Sequence, residues 1–381
     1  MWNDSQYMLK LIMKKFLGIV VLGLLLSSNV FANHFSYKVP EVKVKEFDRW
    51  MGKLKRKDGK WFFKSPKKFR ELDINKVEIP ADIKKILDNS SITSLLYYEK
   101  DKVIYDYTRM QWGDFKTKTK ITEKTLFNGR SKAKSISSLI FGLAQCEGLV
   151  DPNKTYGHYL PEIKNSFYAK IKIKDSMNMM ARDNKIGEGN YMETVPFPDG
   201  VTSFIKRRPK TNEPLGDDKF YYSNLQPDLA TAVVVKQLGG KSKFKKFVEK
   251  NLNERAKLKH KTLVFGHKGY PGFANWFWAT RYDWLRIGIF VSEEIQNKES
   301  CLGNYLRDAI NNSVETGRDW GPKYGKFFYT EKPYGLKSKS IMMRGHGYKL
   351  LVIDYENNRI LEIHSIAADY KPKQLIPLIM Q

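Results

Sequence analysis

A serine and a lysine three residues apart, Ser131 and Lys134, stand where the polar stretch Gly129-Arg130 runs into an apolar one, Ile136-Ser137-Ser138-Leu139-Ile140-Phe141-Gly142-Leu143. A serine hydroxyl is a poor nucleophile until a base takes its proton. A lysine can be that base only where burial and neighbouring cations lower its pKa toward neutrality. Ile136, Leu139, Ile140, Leu143 and Cys146 recur at helical spacing, which predicts a helix with one face in a core. Ser131 then falls in its first turn, with Lys134 on the same side one turn later. The helix N-terminus adds unpaired N–H groups that can stabilise an oxyanion. Together these are the parts of an acyl-transfer site. The bland alternative is an N-cap serine beside a solvated lysine. The same four-residue pattern occurs at Ser65-Pro66-Lys67-Lys68, in a charged stretch with a proline, and at Ser242-Lys243-Phe244-Lys245, on a lysine-rich helix face. Only the copy at Ser131 opens a buried helix.

A second element agrees with the first. Phe220-Tyr221-Tyr222-Ser223-Asn224-Leu225-Gln226-Pro227-Asp228 holds a Tyr-x-Asn that leads into a new helix. With Ser-x-x-Lys, this resembles the serine β-lactamase and penicillin-binding-protein superfamily. It is most similar to the class C β-lactamase-related 6-aminohexanoate-dimer (nylon-oligomer) hydrolases and family esterases. Tyr159-Leu160-Pro161-Glu162-Ile163, Ile171-Lys172-Ile173-Lys174-Asp175 and Ala279-Thr280-Arg281-Tyr282-Asp283-Trp284 resemble flanking helices of that group, in order, from about Ser91 to the C-terminus. A third family element, Lys-Thr-Gly or a His-Gly variant, belongs on a late strand. No Lys-Thr-Gly exists here, since Lys261-Thr262 is followed by Leu263. His267-Lys268-Gly269 comes too early in the chain, which leaves His346-Gly347, with Tyr348 where many relatives have glycine.

The resemblance implies that Ser131 forms an acyl-enzyme, Lys134 accepts its proton, and Tyr222 passes a proton to the leaving group. It implies further that Asn224 orients the substrate or Lys134, and that His346 shapes the pocket. Backbone N–H groups of Ser131 and of a residue near Tyr348 would hold the oxyanion. The relatives also use residues after a rim helix. Glu188 and Tyr191, in Arg182-Asp183-Asn184-Lys185-Ile186-Gly187-Glu188-Gly189-Asn190-Tyr191, are the candidates here, a solvated loop being the alternative.

The elements that must position these residues can be outlined. Ser94–Tyr107 reads as a hairpin turning at Lys100-Asp101-Lys102, and Lys349–Tyr355 and Ile360–His364, joined by Glu356-Asn357-Asn358-Arg359, as a second. Strands from both chain ends around helical segments from 131 to about 297 give an α+β fold. An antiparallel sheet is flanked by helices, with an all-α insertion and the site in the seam. The expected divisions are a signal peptide over 1–32, a basic extension over 33–90 and the hydrolase-like domain over 91–381.

The N-terminus has Lys10, Lys14 and Lys15 ahead of the apolar run Phe16–Leu26, with small residues up to Ala32. This predicts cleavage after Ala32 and export, periplasmic or secreted. Cys146 and Cys301 are the only cysteines. In an oxidising compartment they could pair, yet the place of Cys146 on the buried stripe makes a free buried thiol the expectation. No Cys/His spacing suggests a metal and no glycine-rich loop a nucleotide, so no cofactor is expected. A net charge of +26 in an exported protein points to anionic lipid or envelope polymer as a weak contact rather than to nucleic acid. The most basic stretch, Lys53–Arg70, reads as a solvated wrap whose aromatics pack on the domain. The sequence thus points to a small-molecule amide or ester substrate. The alternative is a non-catalytic binder of peptidoglycan or an anionic envelope component. The missing Lys-Thr-Gly lysine argues against an efficient β-lactamase, since it would pair with the lactam carboxylate.

Overall fold

The computed structural model describes residues 45, 47–48, 59–112, 115–181, 201–206, 219–267 and 269–381. The expected signal segment 1–32 and the candidates Glu188 and Tyr191 lie outside them.

Nine strands are central to the argument: β1 (Lys60–Phe63), β2 (Ile92–Glu99), β3 (Lys102–Thr108), β4 (Leu126–Asn128), β5 (Thr262–His267), β6 (Phe277–Thr280), β7 (Ser340–Gly345), β8 (Lys349–Asp354) and β9 (Arg359–Ser365). Both expected hairpins form. Lys100 and Asp101 take φ of 49° and 64°, the left-handed pair that a two-residue turn needs to match strand twist. At the second turn the Asp354 carboxylate accepts the Glu356 and Asn357 N–H groups and the Asn357 side-chain amide. The hairpins meet through antiparallel pairing of β9 with β2. The result is a sheet running β7-β8-β9-β2-β3, extended by short strands at both edges. Seven successive residues of β2, Ile92 to Tyr98, are buried, so this strand is covered on both faces.

Four helices position the site: α1 (Lys132–Cys146), α2 (Leu225–Gln237), α3 (Arg281–Gln296) and α4 (Cys301–Asn311). Helix α3 packs on β8, β9 and β2, while α1 packs between α2 and β7. The sequence promised α1 one buried face. In the structure nearly the whole helix is buried, Ser135, Ser137 and Ser138 included. Each of these hydroxyls has a partner: Phe327 O for Ser135, Pro227 O and Thr231 for Ser137, and the Tyr305 hydroxyl for Ser138. Small polar side chains can enter a core when their hydrogen bonds are met inside it.

Between 131 and 297 the described residues are mostly helical and also include β5, β6 and Tyr270–Pro271. They join β1 and β4 in a second antiparallel sheet, ordered β1-β5-β6-β4. The basic segment expected to wrap the surface therefore supplies a strand. Trp61 and Phe63 are buried against Phe244 at edge-to-face angles.

The cysteines correct the expectation of a free thiol. Cys146 and Cys301 form a disulfide between the end of α1 and the start of α4, with Cα atoms 5.8 Å apart. Cys146 is the last residue of its helix and only half-buried, the run of fully buried residues ending at Ala144. The bond closes a loop across a separation of 155 residues. Replacing both cysteines with serine should lower the unfolding free energy by about 2–4 kcal/mol, read as a lower midpoint in guanidinium titration. Identical midpoints for the two proteins would contradict this.

Candidate active site

The Phe127-Asn128-Gly129-Arg130 segment turns out of β4, and Ser131 caps α1 with helical backbone angles (φ −63°, ψ −7°). Gly345 lets the end of β7 reach this turn, because a Cβ there would lie 2.2 Å from the Gly129 carbonyl oxygen. Residues from two remote parts of the chain thereby converge on the first turn of α1.

The Ser131 Oγ lies 3.0 Å from the Lys134 Nζ. Lys134 is buried to 1% exposure and donates to Asn224 Oδ1 at 2.6 Å and to the Ala274 carbonyl at 2.7 Å. The Tyr222 ring centroid is 4.9 Å from the same nitrogen. Four of the residues expected from sequence, Ser131, Lys134, Tyr222 and Asn224, therefore form one cluster. Burial pushes the Lys134 amine below the ordinary lysine value, opposed in part by the charge and hydrogen bonding of Tyr222 and by Asp228.

The partners of Lys134 determine where its lone pair points. An ammonium has three N–H bonds, and a neutral amine two. The Ala274 carbonyl is only an acceptor, and Asn224 presents its carbonyl oxygen. In the structure Nζ also donates to Ser131 Oγ, whose own proton goes to Asn275 Oδ1; once the amine is neutral, Asn224 and Ala274 take both N–H groups and the lone pair is left on the Ser131 side.

Three members of the site had not been anticipated. Asn275 Oδ1 accepts the Ser131 hydroxyl at 3.0 Å. The Ala274 carbonyl holds Lys134, and the Ala274 N–H in turn donates to Asp228 Oδ1 at 2.7 Å. Burial raises the Asp228 carboxyl to about 7, against the pull of that N–H and of Lys134. Asp228 had left a signal, a carboxylate inside the apolar run Leu225 to Val235. Ala274 and Asn275 had left none, because a backbone carbonyl carries no sequence label and the loop reaches the serine only through the pairing of β5 with β6.

The third element is split. His346 lines a cavity of about 290 Å³ together with Ser131 and Asn275. Gly347 (φ 77°) and Tyr348 (φ 52°) form the tight turn between β7 and β8. The Tyr348 ring leans on Tyr370, 5.4 Å between centroids, and faces a different cavity with Trp320 and Arg344. The Tyr348 side chain is thus not brought to Ser131.

Next to Ser131 lies a buried ionic cluster. Lys132 Nζ is 2.8 Å from Glu362 Oε1, which is 2.7 Å from His364 Nε2. None of the three side chains exceeds 1% exposure. Lys132 also sits 4.2 Å from the centroid of the Trp284 ring. Among the described residues no group of three or more histidine, cysteine, aspartate or glutamate side chains could hold a metal ion.

Solved structures share this arrangement of sheets and helices. A 6-aminohexanoate-dimer hydrolase from Bacillus anthracis superposes with a TM-score of 0.65 at 13% identity, covering 83% of this chain and 88% of that one. A class C β-lactamase in complex with cefoxitin gives 0.57 at 14%, covering 78% and 97%. A D-stereospecific amidohydrolase from Streptomyces gives 0.58 at 13%, covering 80% and 99%. The chain has the fold of the serine β-lactamase and penicillin-binding-protein superfamily. No protein-family model matches the sequence, and no curated protein does. At these identities the β-lactamase fold is what is shared, and any activity must be argued from the site. In this β-lactamase-like chain β7 and the His346 turn stand where the third family element was expected. The cationic end of β7 is Arg344, whose Nε donates to the Tyr334 hydroxyl at 3.2 Å.

Proposed function

We propose that this chain is an exported serine hydrolase that cleaves an amide or ester through an acyl-enzyme on Ser131. Lys134 is the general base and Tyr222 the acid/base. The observation that carries this reading is the 3.0 Å approach of Ser131 Oγ to the Nζ of the fully buried Lys134. A lysine kept solely for stability would not be enclosed 3.0 Å from a half-buried hydroxyl that lines a cavity.

The steps follow from these contacts. Neutral Lys134 takes the Ser131 proton as Oγ bonds to the substrate carbonyl carbon, and the carbonyl electron pair moves to oxygen. The helix N-terminus at Ser131 favours that negative charge. The proton passes from Lys134 through Tyr222 to the leaving nitrogen or oxygen, whose bond to carbon breaks. Water then enters, gives its proton to the same base, and attacks the ester carbonyl. Ser131 Oγ departs with a proton, which restores the resting enzyme. Asn224 and the Ala274 carbonyl hold the amine still throughout, and Asp228 fixes the Ala274 peptide.

A fluorophosphonate probe tests the reading directly. Folded protein should be labelled on Ser131, with labelling lost in Ser131→Ala. Folded protein that resists the probe would point to the non-catalytic binder instead.

A further inference from the structure

Resting on that hydrolase reading, we infer that the cavity beside Ser131 receives the acyl group of the substrate. Its occupant is a neutral aromatic or medium-length aliphatic chain, and Phe47 of the N-terminal segment is a specificity-determining wall.

The argument begins with sides. Ser131 lines the cavity, whereas Lys134, Tyr222 and Asn224 do not. The leaving group must lie toward the proton donor, on the Tyr222 side. The space on the other side of Oγ is therefore left for the part of the substrate that stays on the serine. Four aromatic side chains, Phe47, Phe127, Trp276 and Trp278, supply its apolar wall beside polar residues such as Thr93 and Asn128. Its volume of about 290 Å³ stands at the small end of ligand pockets, roughly 300–1,000 Å³.

Charge narrows the occupant further. Among the described residues the cavity is bordered by Arg130 and Lys349 and by no carboxylate, which disfavours a cationic acyl chain. The floor residue His364 stacks on Phe127 at 4.7 Å between centroids and is neutral at neutral pH, since burial holds its pKa down. An uncharged chain meets apolar rings without leaving a buried charge unpaired.

Phe47 is held in place by its neighbour. The Asp48 carboxylate accepts the Lys118 N–H at 2.8 Å, the Thr119 N–H at 3.1 Å and the Thr119 hydroxyl at 2.9 Å, and it also accepts the Thr117 hydroxyl. This pins Phe47 against Phe127, 6.3 Å between ring centroids. Phe47, in the basic extension 33–90, thus supplies one wall of the space beside Ser131.

The test is the chain-length profile of p-nitrophenyl acetate, butanoate, hexanoate and octanoate, with the 6-aminohexanoate ester as the cationic counterpart. Wild-type kcat/KM should climb by up to roughly fourfold per added methylene, the factor that about 0.8 kcal/mol represents, until the cavity is full. The 6-aminohexanoate ester should fall at least about tenfold below the hexanoate. In Phe47→Ala the octanoate-to-acetate ratio should drop by about tenfold or more, and Asp48→Ala should move it the same way. Because the ratio is internal to each preparation, partial unfolding cancels from it. A flat wild-type profile, or a cationic ester that is preferred, overturns the pocket assignment. A steep profile unchanged by both substitutions overturns the role of Phe47. Absence of all turnover together with absence of fluorophosphonate labelling would instead overturn the hydrolase reading beneath it.

Discussion

Lys134→Ala should lower kcat/KM for p-nitrophenyl esters by about 10²–10⁴-fold, the usual span for removing a positioned general base. The protein should still fold, because α1 is anchored along its length by the apolar residues Ile136, Leu139, Ile140 and Leu143 and by three hydrogen-bonded serines. The pH profile carries the sign. Burial sets the Lys134 pKa below the ordinary lysine value, and only the neutral amine can take the serine proton. Wild-type activity should therefore rise with pH through the lowered pKa, and that ascending limb should be absent in Lys134→Ala. Lys134→Arg should not rescue, since a guanidinium stays protonated in proteins. Turnover and pH dependence unchanged by Lys134→Ala would remove the lysine from the mechanism.

Glu362→Ala should cost about 3–5 kcal/mol of folding stability, because it leaves the buried Lys132 ammonium without its carboxylate. Burial alone would push the Glu362 carboxyl up, but His364 and Lys132 hold it below the usual carboxylate value, so it faces Lys132 as an anion. Removing both ends is a different perturbation. Glu362→Leu with Lys132→Met fills the same volume with apolar atoms and should recover most of the loss. Guanidinium unfolding of the two variants against wild type measures both numbers. A single variant as stable as wild type would show that the pair contributes nothing.

The same cluster predicts a pH dependence. The folded His364 pKa is pushed down to about 4 from 6.5, so the unfolded chain binds the proton first. The contribution of His364 is fully present above about 6.5 and is lost as pH falls from there toward about 4. In His364→Gln this segment of the stability curve should flatten.

How much was legible can be judged residue by residue. Ser131, Lys134, Tyr222 and Asn224 could be found in the sequence because each belongs to a short local pattern beside a helix start. The hairpins at Lys100-Asp101 and Glu356-Asn357-Asn358 were legible for the same reason, since turn chemistry is local. Asn275, the Ala274 carbonyl and the Lys132–Glu362–His364 cluster were not. They meet because β5, β6 and β4 pair in one sheet and because α1 packs on the sheet that holds β9. Cys146 was misjudged because helical spacing tells which side a residue faces, but not where the neighbouring helix begins.

By itself the sequence determined that Ser131 and Lys134 share one side of a helix and which elements carry them, since spacing along one helix is a property of the chain. Tertiary structure decided the rest: that Lys134 is enclosed, that Asn224 and Ala274 accept its N–H groups, that Tyr348 turns away, and that Phe47 shares a cavity with Ser131. The physical reason is that a lysine pKa, a lone-pair direction and a pocket wall depend on desolvation and on partners remote in sequence. Those quantities exist only once the sheets have closed.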